Sequence, residues 1–333
     1  MLNEPIIFFK KLRSVGGPSS FQKKFIHWLK INEIGYDFLN INNFFKKKIL
    51  IINSGTFNFP LLILSILFKT KLVQRLDGFY DFSNIGRKTK SLRCLCINIS
   101  MQIIRKYLAD YVVYQSLTSK KLWDKTFKKV KTNYSIIHNP SFDVALRRKK
   151  NLKSIKLFDI VIVEGNIENN LFNEKILYLI SKASIKNINI RKIYIFGNIS
   201  NSLKKKLSKN KIYIFMNTVG HKELKKFYKR KNIIFFGIEY NPCCSNSIIE
   251  ANSYGVPSIT LNTGSYKELI KNSGIQINFT RIDSKNLHKK FSKSLSKITK
   301  NYAYYSKLSF KNSQKFNHNY IFKKYISCIN KLR

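Results

Sequence analysis

Apolar and polar positions along this chain follow two alternating patterns. Short runs rich in β-branched and aromatic residues recur, each followed by a polar or glycine-bearing loop. Apolar residues at helical spacing come next. Residues 6–9, 36–39, 49–52 and 72–74 read as strands, as do 109–116, 158–163, 193–196, 212–215 and 232–237. The run before Gly237 is short, apolar and β-rich, which is how a strand covered on both faces reads. Between the strands, Phe21, Phe25, Trp28 and Leu29 mark one helix, with Ser19 or Ser20 to cap it and Gly35 to end it. Residues 59–68 predict a buried helix with Pro60 in its first turn, and helices are also expected at 92–108, 119–127, 223–230 and 284–298. A last helical segment carries Ile321, Tyr325, Cys328, Ile329 and Leu332. Strands that alternate with helices predict doubly wound parallel sheets.

The length of 333 residues suits two such domains. The expected division is 1–145, 155–300 and a C-terminal helix within 301–333, with the basic run Arg147-Arg148-Lys149-Lys150 as linker.

The stretch from Asn232 to Gly274 carries the most chemistry. A buried strand ends at Gly237, and a loop leads through Pro242 and Ser245-Asn246 to a helix over 247–254. Gly255 stands where the helix end requires positive φ, and Pro257 follows. A strand at 258–261, the loop Asn262-Thr263-Gly264-Ser265 and another helix complete it. Loops at the carboxyl ends of parallel strands, opening into helix N-termini, are where such sheets bind ligands. Free N–H groups and the helix dipole there suit a phosphate. The loop containing Gly16-Gly17, between the first strand and first helix, has the same layout, although a glycine pair alone often marks only a turn.

Composition changes the picture in one respect. Sixty-two basic residues against 17 acidic ones give a net charge of +45, and the lysines are spread over the whole chain without a nucleic-acid motif. Biased composition and attraction to an anionic membrane surface together fit this better than nucleic-acid binding. Cys94, Cys96, Cys243, Cys244 and Cys328 form no C-x-x-C pair, which fits a reducing compartment without a zinc site. The N-terminus lacks a signal-peptide layout. Residues 49–68 are uncharged and about the length of a span, but Asn53-Ser54-Gly55-Thr56, Asn58 and Pro60 interrupt them. A soluble or peripheral protein is expected.

The run Ser245-Asn246-Ser247-Ile248-Ile249-Glu250-Ala251-Asn252-Ser253-Tyr254-Gly255-Val256-Pro257, followed by Asn262-Thr263-Gly264-Ser265-Tyr266-Lys267-Glu268-Leu269-Ile270, resembles the donor-site signature of family-4 (group 1) glycosyltransferases. The resemblance implies a GT-B-like α/β fold, two doubly wound (Rossmann-like) domains facing across a cleft. It implies that Glu250 lies against the ribose of a nucleotide-sugar. Ser245, Asn246, Ser247, Gly264, Ser265 and Gly165 would line the donor site, with Gly16 and Gly17 facing the donor from the first domain. Arg75-Leu76-Asp77-Gly78 also recurs in such enzymes and makes Asp77 and Arg75 the catalytic candidates; the residues alone would suit an ion pair around a surface turn. Residues 79–90 would be an acceptor-contacting loop, and the last helix would cross back to the first domain. Two positions depart from the pattern. Pro242 stands where a second glutamate is common, leaving Glu239 as the nearest carboxylate, and Asn166 replaces an arginine, with Lys175 as a stand-in for the nearby lysine.

The activity implied is retaining, metal-independent transfer from a nucleotide-sugar to a glycan or lipid-linked acceptor. Surface polysaccharide or lipopolysaccharide synthesis, in the cytoplasm or at the inner face of the membrane, is the expected setting. No cofactor is expected, and no Asp-x-Asp motif is present. A sugar-nucleotide epimerase or hydrolase, or a non-catalytic basic binding protein, are the alternatives. Glu250 itself has a second reading, as the partner of Ser247 in a capping box.

Overall fold

A computed structural model describes residues 5–12, 16–45, 48–78, 92–141, 156–167, 171–185, 189–278 and 284–332. The loop expected at 79–90, the linker run 147–150 and Lys46-Lys47 lie outside the described residues. The chain forms two compact units. Unit 1 holds the described residues up to 141 together with 316–332, and unit 2 holds those from 156 to 315.

Unit 1 contains β1 (Ile6–Phe8), α1 (Gly17–Ile31), β2 (Tyr36–Phe38), α2 (Ile41–Phe44), β3 (Ile49–Asn53) and α3 (Phe59–Leu67). It continues through β4 (Lys71–Leu76), α4 (Leu92–Ile103) with a π turn at Ile104–Leu108, β5 (Tyr111–Tyr114), α5 (Leu117–Phe127) and β6 (Asn133–Ile136). Its six strands are parallel in the order β2-β1-β3-β4-β5-β6, so the winding reverses between β1 and β3. Successive side chains point to opposite faces. Ile6, Phe8, Ile49 and Ile51 therefore pack on one side, against Phe21 and Phe25 of α1. Ile7, Leu50, Ile52 and Leu72 pack on the other, against Leu62 of α3 and Ile104 of the π turn.

Unit 2 contains β7 (Phe158–Asn166), α6 (Leu171–Ile185), β8 (Ile190–Asn198), α7 (Asn201–Ser208), β9 (Tyr213–Phe215) and α8 (His221–Tyr228). Then come β10 (Ile233–Gly237), α9 (Asn246–Ser253), β11 (Ser258–Leu261), α10 (Tyr266–Ile270), β12 (Gly274–Ile277), α11 (Ser284–Lys300) and α12 (Tyr302–Ser313). The order is β12-β11-β10-β7-β8-β9, all parallel, and the winding reverses between β7 and β10.

Several local expectations change. The 301–333 segment is two helices, not one: α12 packs with unit 2 through Tyr302 and Tyr305, while α13 (His318–Asn330) packs in unit 1. There Phe322 stacks on Phe25 at 4.7 Å and 8°. Helix α1 begins at Gly17 with Gly16 as its cap residue, so neither Ser19 nor Ser20 caps it; Ser19 Oγ donates to the Leu12 carbonyl instead. Its end uses Asn32 and Glu33, with Glu33 at φ 54, and Gly35 comes only afterwards. Helix α3 is not buried as expected. Only Leu62 and Ser65 are enclosed, and Ile63, Leu64 and Leu67 face solvent.

Candidate functional site

The switch point of a doubly wound sheet opens a crevice between the carboxyl ends of two strands. In unit 2 these are β7 and β10. Strand β10 ends at Gly237, where an added Cβ would stand 2.8 Å from Tyr266 Oη and 2.9 Å from Thr260 Cγ2. A glycine is required there because α10 brings Tyr266, fully enclosed, over the strand end. The Tyr266 hydroxyl bonds to the Ser245 side chain and the Glu239 backbone, and burial holds its pKa well above the phenolic range.

The loops after β10 and β11 are clasped together. Gly264 N donates to Asn241 Oδ1 at 3.2 Å, and Ser265 N donates to the Pro242 carbonyl at 2.8 Å. Gly264 adopts φ 54, and a Cβ there would lie 2.4 Å from Pro242 Cδ. Pro242 thus takes a structural position where the resembling family commonly has a carboxylate, closing the contact with Gly264. Ser265 is fully buried at the start of α10.

Ser245 is the N-cap residue of α9, at φ −66 and ψ 113, and its hydroxyl bonds to that of Ser247 at 3.0 Å instead of to a backbone N–H. The helix starts at Asn246, one residue earlier than the pattern predicts. Glu250 therefore lies two residues beyond the capping-box position, which Ile248 takes, and that reading is overturned. Its carboxylate is 8% exposed. Glu250 Oε2 lies 3.4 Å from His221 Nδ1, at the first residue of α8. Tyr228, from the end of α8, stands close enough that Glu250 adds to the rise of its pKa, which burial dominates. His221 was not legible as a site residue: its one signal is its place at a helix start after Gly220.

Two carboxylates stand at the switch point. Glu164 lies near the tip of β7 and accepts from Gly165 N at 3.2 Å. Burial pushes its pKa up to about 7. Glu239 follows β10, and burial together with the charge of Glu164 raises its pKa well above the carboxylate range. The space over Gly165 is open: nothing lies within 4 Å of a Cβ there. By contrast, Gly197 at the end of β8 is pressed on the Glu164 carbonyl, which a Cβ would overlap. Lys175 is exposed in the second turn of α6.

In unit 1 the structure brings Arg75 and Asp77 together at the end of β4, but not as a surface turn. Arg75 is fully enclosed, whereas the Asp77 side chain keeps 16% exposure. Arg75 Nη1 donates to Asp77 Oδ1 at 2.6 Å and Nη2 to Asn139 Oδ1 at 2.7 Å. Its guanidinium lies 4.1 Å from the centre of the Phe21 ring. Ser54, beyond β3, and Gln115, beyond β5, also donate to the Asp77 carboxylate. Three adjacent strand ends are thus tied to one carboxylate. Arg75, expected as a catalytic residue at the sheet edge, is instead enclosed, with its guanidinium held on Asp77. Gly16 caps α1 at φ 142 with open space in front of it, and Gly17 opens the helix.

Among known proteins, residues 169–312 match the family model described as glycosyl transferases group 1. No curated protein matches. Solved structures match in fold. Sucrose-phosphate synthase from Thermosynechococcus elongatus superposes with a TM-score of 0.73 at 11% identity, over 99% of this chain and 99% of that one. Anabaena HepE, solved with UDP and glucose, gives 0.70 at 12% identity, over 98% and 99%. The pneumococcal O-GlcNAc transferase GtfA, solved with UDP and GlcNAc, gives 0.64 at 11% identity; 86% of this chain covers 57% of that one.

The carboxyl pair predicts a pH dependence. The folded value of Glu164, about 7, exceeds its ordinary 4.5. The folded protein therefore binds that proton more tightly, and unliganded stability should fall as pH rises from about 4.5 to about 7. In Glu164→Gln the fall in melting temperature across this window should be smaller. Equal slopes in thermal unfolding would refute the raised value at Glu164. Residues 169–312 are thus similar to group 1 glycosyl transferases, and the chain as a whole has the GT-B fold.

Proposed function

We propose that this chain transfers a sugar from a nucleotide-sugar to a glycan or lipid-linked acceptor with retention of configuration. The setting we propose is surface polysaccharide or lipopolysaccharide synthesis at the cytoplasmic face of a membrane. The observation that carries the donor reading is Glu250, enclosed in α9 beside His221, in the same unit as the clasped loops of Gly264 and Ser265. A carboxylate so placed suits two vicinal hydroxyls of a ribose, each donating to one oxygen. The nucleotides bound in HepE and GtfA support a uridine diphosphate leaving group.

The diphosphate requires positive potential, which the N-terminal ends of α9 and α10 supply without a metal ion. Open backbone at Gly165 leaves room for an anion to approach the tip of β7. Glu164 and Glu239, with raised pKa values, hold protons near neutrality and so add little repulsion. Glu239 is our candidate to receive the donor sugar's hydroxyls in place of the carboxylate displaced by Pro242. In unit 1, Asp77 is the candidate carboxylate for the acceptor, and Arg75 positions it. A leaving phosphate that takes the acceptor's proton from the same face would give retention without an enzymic nucleophile. The alternative of a non-catalytic binding protein is favoured by Pro242 at the position where a carboxylate is common.

Two outcomes test this reading. In Glu250→Gln, UDP affinity measured by calorimetry should fall by roughly one to two powers of ten, the worth of a charged hydrogen bond. Its unliganded melting temperature should stay near that of the wild type, because the glutamine still offers His221 an acceptor. UDP binding at wild-type strength would remove Glu250 from the site. Sugar transfer should also persist in a chelator; complete loss, restored by magnesium or manganese, would contradict a metal-free diphosphate site.

A further inference from the structure

Among the described residues, most exposed large hydrophobic side chains lie between Ile41 and Tyr107, in unit 1. Helix α3 is the centre. Its inner residue Leu62 packs on Ile7, Leu50, Ile52 and Leu72. Its outer face presents Pro60, Ile63, Leu64, Leu67 and then Phe68, at i, i+3, i+4, i+7 and i+8. This is a complete apolar stripe turned to solvent. Ile63 is 47% exposed and Leu67 71%. No charged residue occurs in α3.

The stripe continues on both sides. Phe68 packs edge-on against Phe45 at 4.9 Å and Phe44 at 5.7 Å, and Phe45 remains 67% exposed. Helix α4 and its π turn lie beside α3 on the same sheet face: Ile104 joins the core that holds Leu62, and Ser100 Oγ bonds to the Thr56 carbonyl just before α3. The inner side of α4 holds Met101, and its outer side exposes Leu95 and Ile99.

The charge around this face is mostly basic; the carboxylates at its border are Asp37, bonded to Asn40 and Asn43 at α2, and Asp110, paired with Lys71. No Asp or Glu occurs from 38 to 76 or from 82 to 109. Lys69, Arg93 and Lys106 are exposed around the apolar centre. Lys106 Nζ stands 4.7 Å over the ring of Tyr107, itself exposed. A protein partner of ordinary composition would offer polar groups that this face cannot answer. An apolar centre rimmed by basic residues and an aromatic ring instead fits acyl chains below a layer of anionic headgroups.

We propose that the α2–α3–α4 face of unit 1 docks on an anionic lipid bilayer, with α3 lying in the interface. The assignment rests on the membrane setting proposed above but not on the donor site. The contact is then more than electrostatic: apolar side chains enter the bilayer, and the basic rim selects its charge.

Sedimentation with vesicles of phosphatidylcholine, with and without phosphatidylglycerol, tests it. Wild type should partition to the anionic vesicles, and salt should weaken that partition without abolishing it. Leu64→Gln with Leu67→Gln should reduce partition about tenfold or more, since both leucines leave water on docking. Tyr304→Gln, at an exposed aromatic of unit 2, should leave it unchanged. Melting temperature and UDP affinity without vesicles should be preserved in each variant, which separates this face from the donor site. Should the pair lower the melting temperature, Leu67→Gln alone serves, with a smaller reduction expected. Wild-type partition in the folded leucine variant would overturn the proposal. So would absence of wild-type binding to anionic vesicles, or self-association of the wild type that the leucine variant abolishes.

Discussion

The unit 2 site depends on one close approach: the loop after β10 lies against the loop after β11, with Pro242 on Gly264. Three observations follow from it. Gly264 must be a glycine, because its φ of 54 and the 2.4 Å to Pro242 exclude a side chain. Asn241, at φ 49, turns its side chain to the Gly264 N–H. Ser265 N is drawn to the Pro242 carbonyl, which starts α10 in place and seats Tyr266 over Gly237. This clasp fixes where α10 begins and holds the loop that leads into α9.

Unit 1 uses charge instead of backbone contact to the same end. The ends of β3, β4 and β5 would diverge with the twist of the sheet, and Asp77 ties them together through Ser54, Arg75 and Gln115. Arg75 reaches further, to Asn139 beyond β6 and to the face of Phe21 on α1. Removing one member of such an enclosed pair costs about 3–5 kcal/mol, because the other charge stays buried alone. The buried guanidinium is therefore a means of orienting a mostly buried carboxylate.

Much of this was legible in the sequence because parallel strands covered on both faces read as plain apolar runs. The strand at 258–261 coincides with β11, and Gly255 takes the positive φ its place after a helix demanded. What was not legible depended on contacts between distant residues. The pairing of Glu250 with His221 spans 29 positions and depends on α8 lying beside α9. The capping-box reading of Ser247 and Glu250 failed because Ser245, two residues earlier, takes the cap position. Ser19 and Ser20 lost theirs to Gly16 for a related reason: Pro18 is welcome in the first turn, so the helix begins before it. Helix α3 was misread because apolar residues all round normally mean burial, whereas here the outer stripe stays in water.

Hydrogen exchange of the backbone amides with and without UDP tests the central claim most directly. The account predicts added protection at the N-terminal turns of α9 and α10, around residues 245–250 and 264–268, with little change at α3 and α4. Protection confined to unit 1, or none in either loop at saturating UDP, would contradict it.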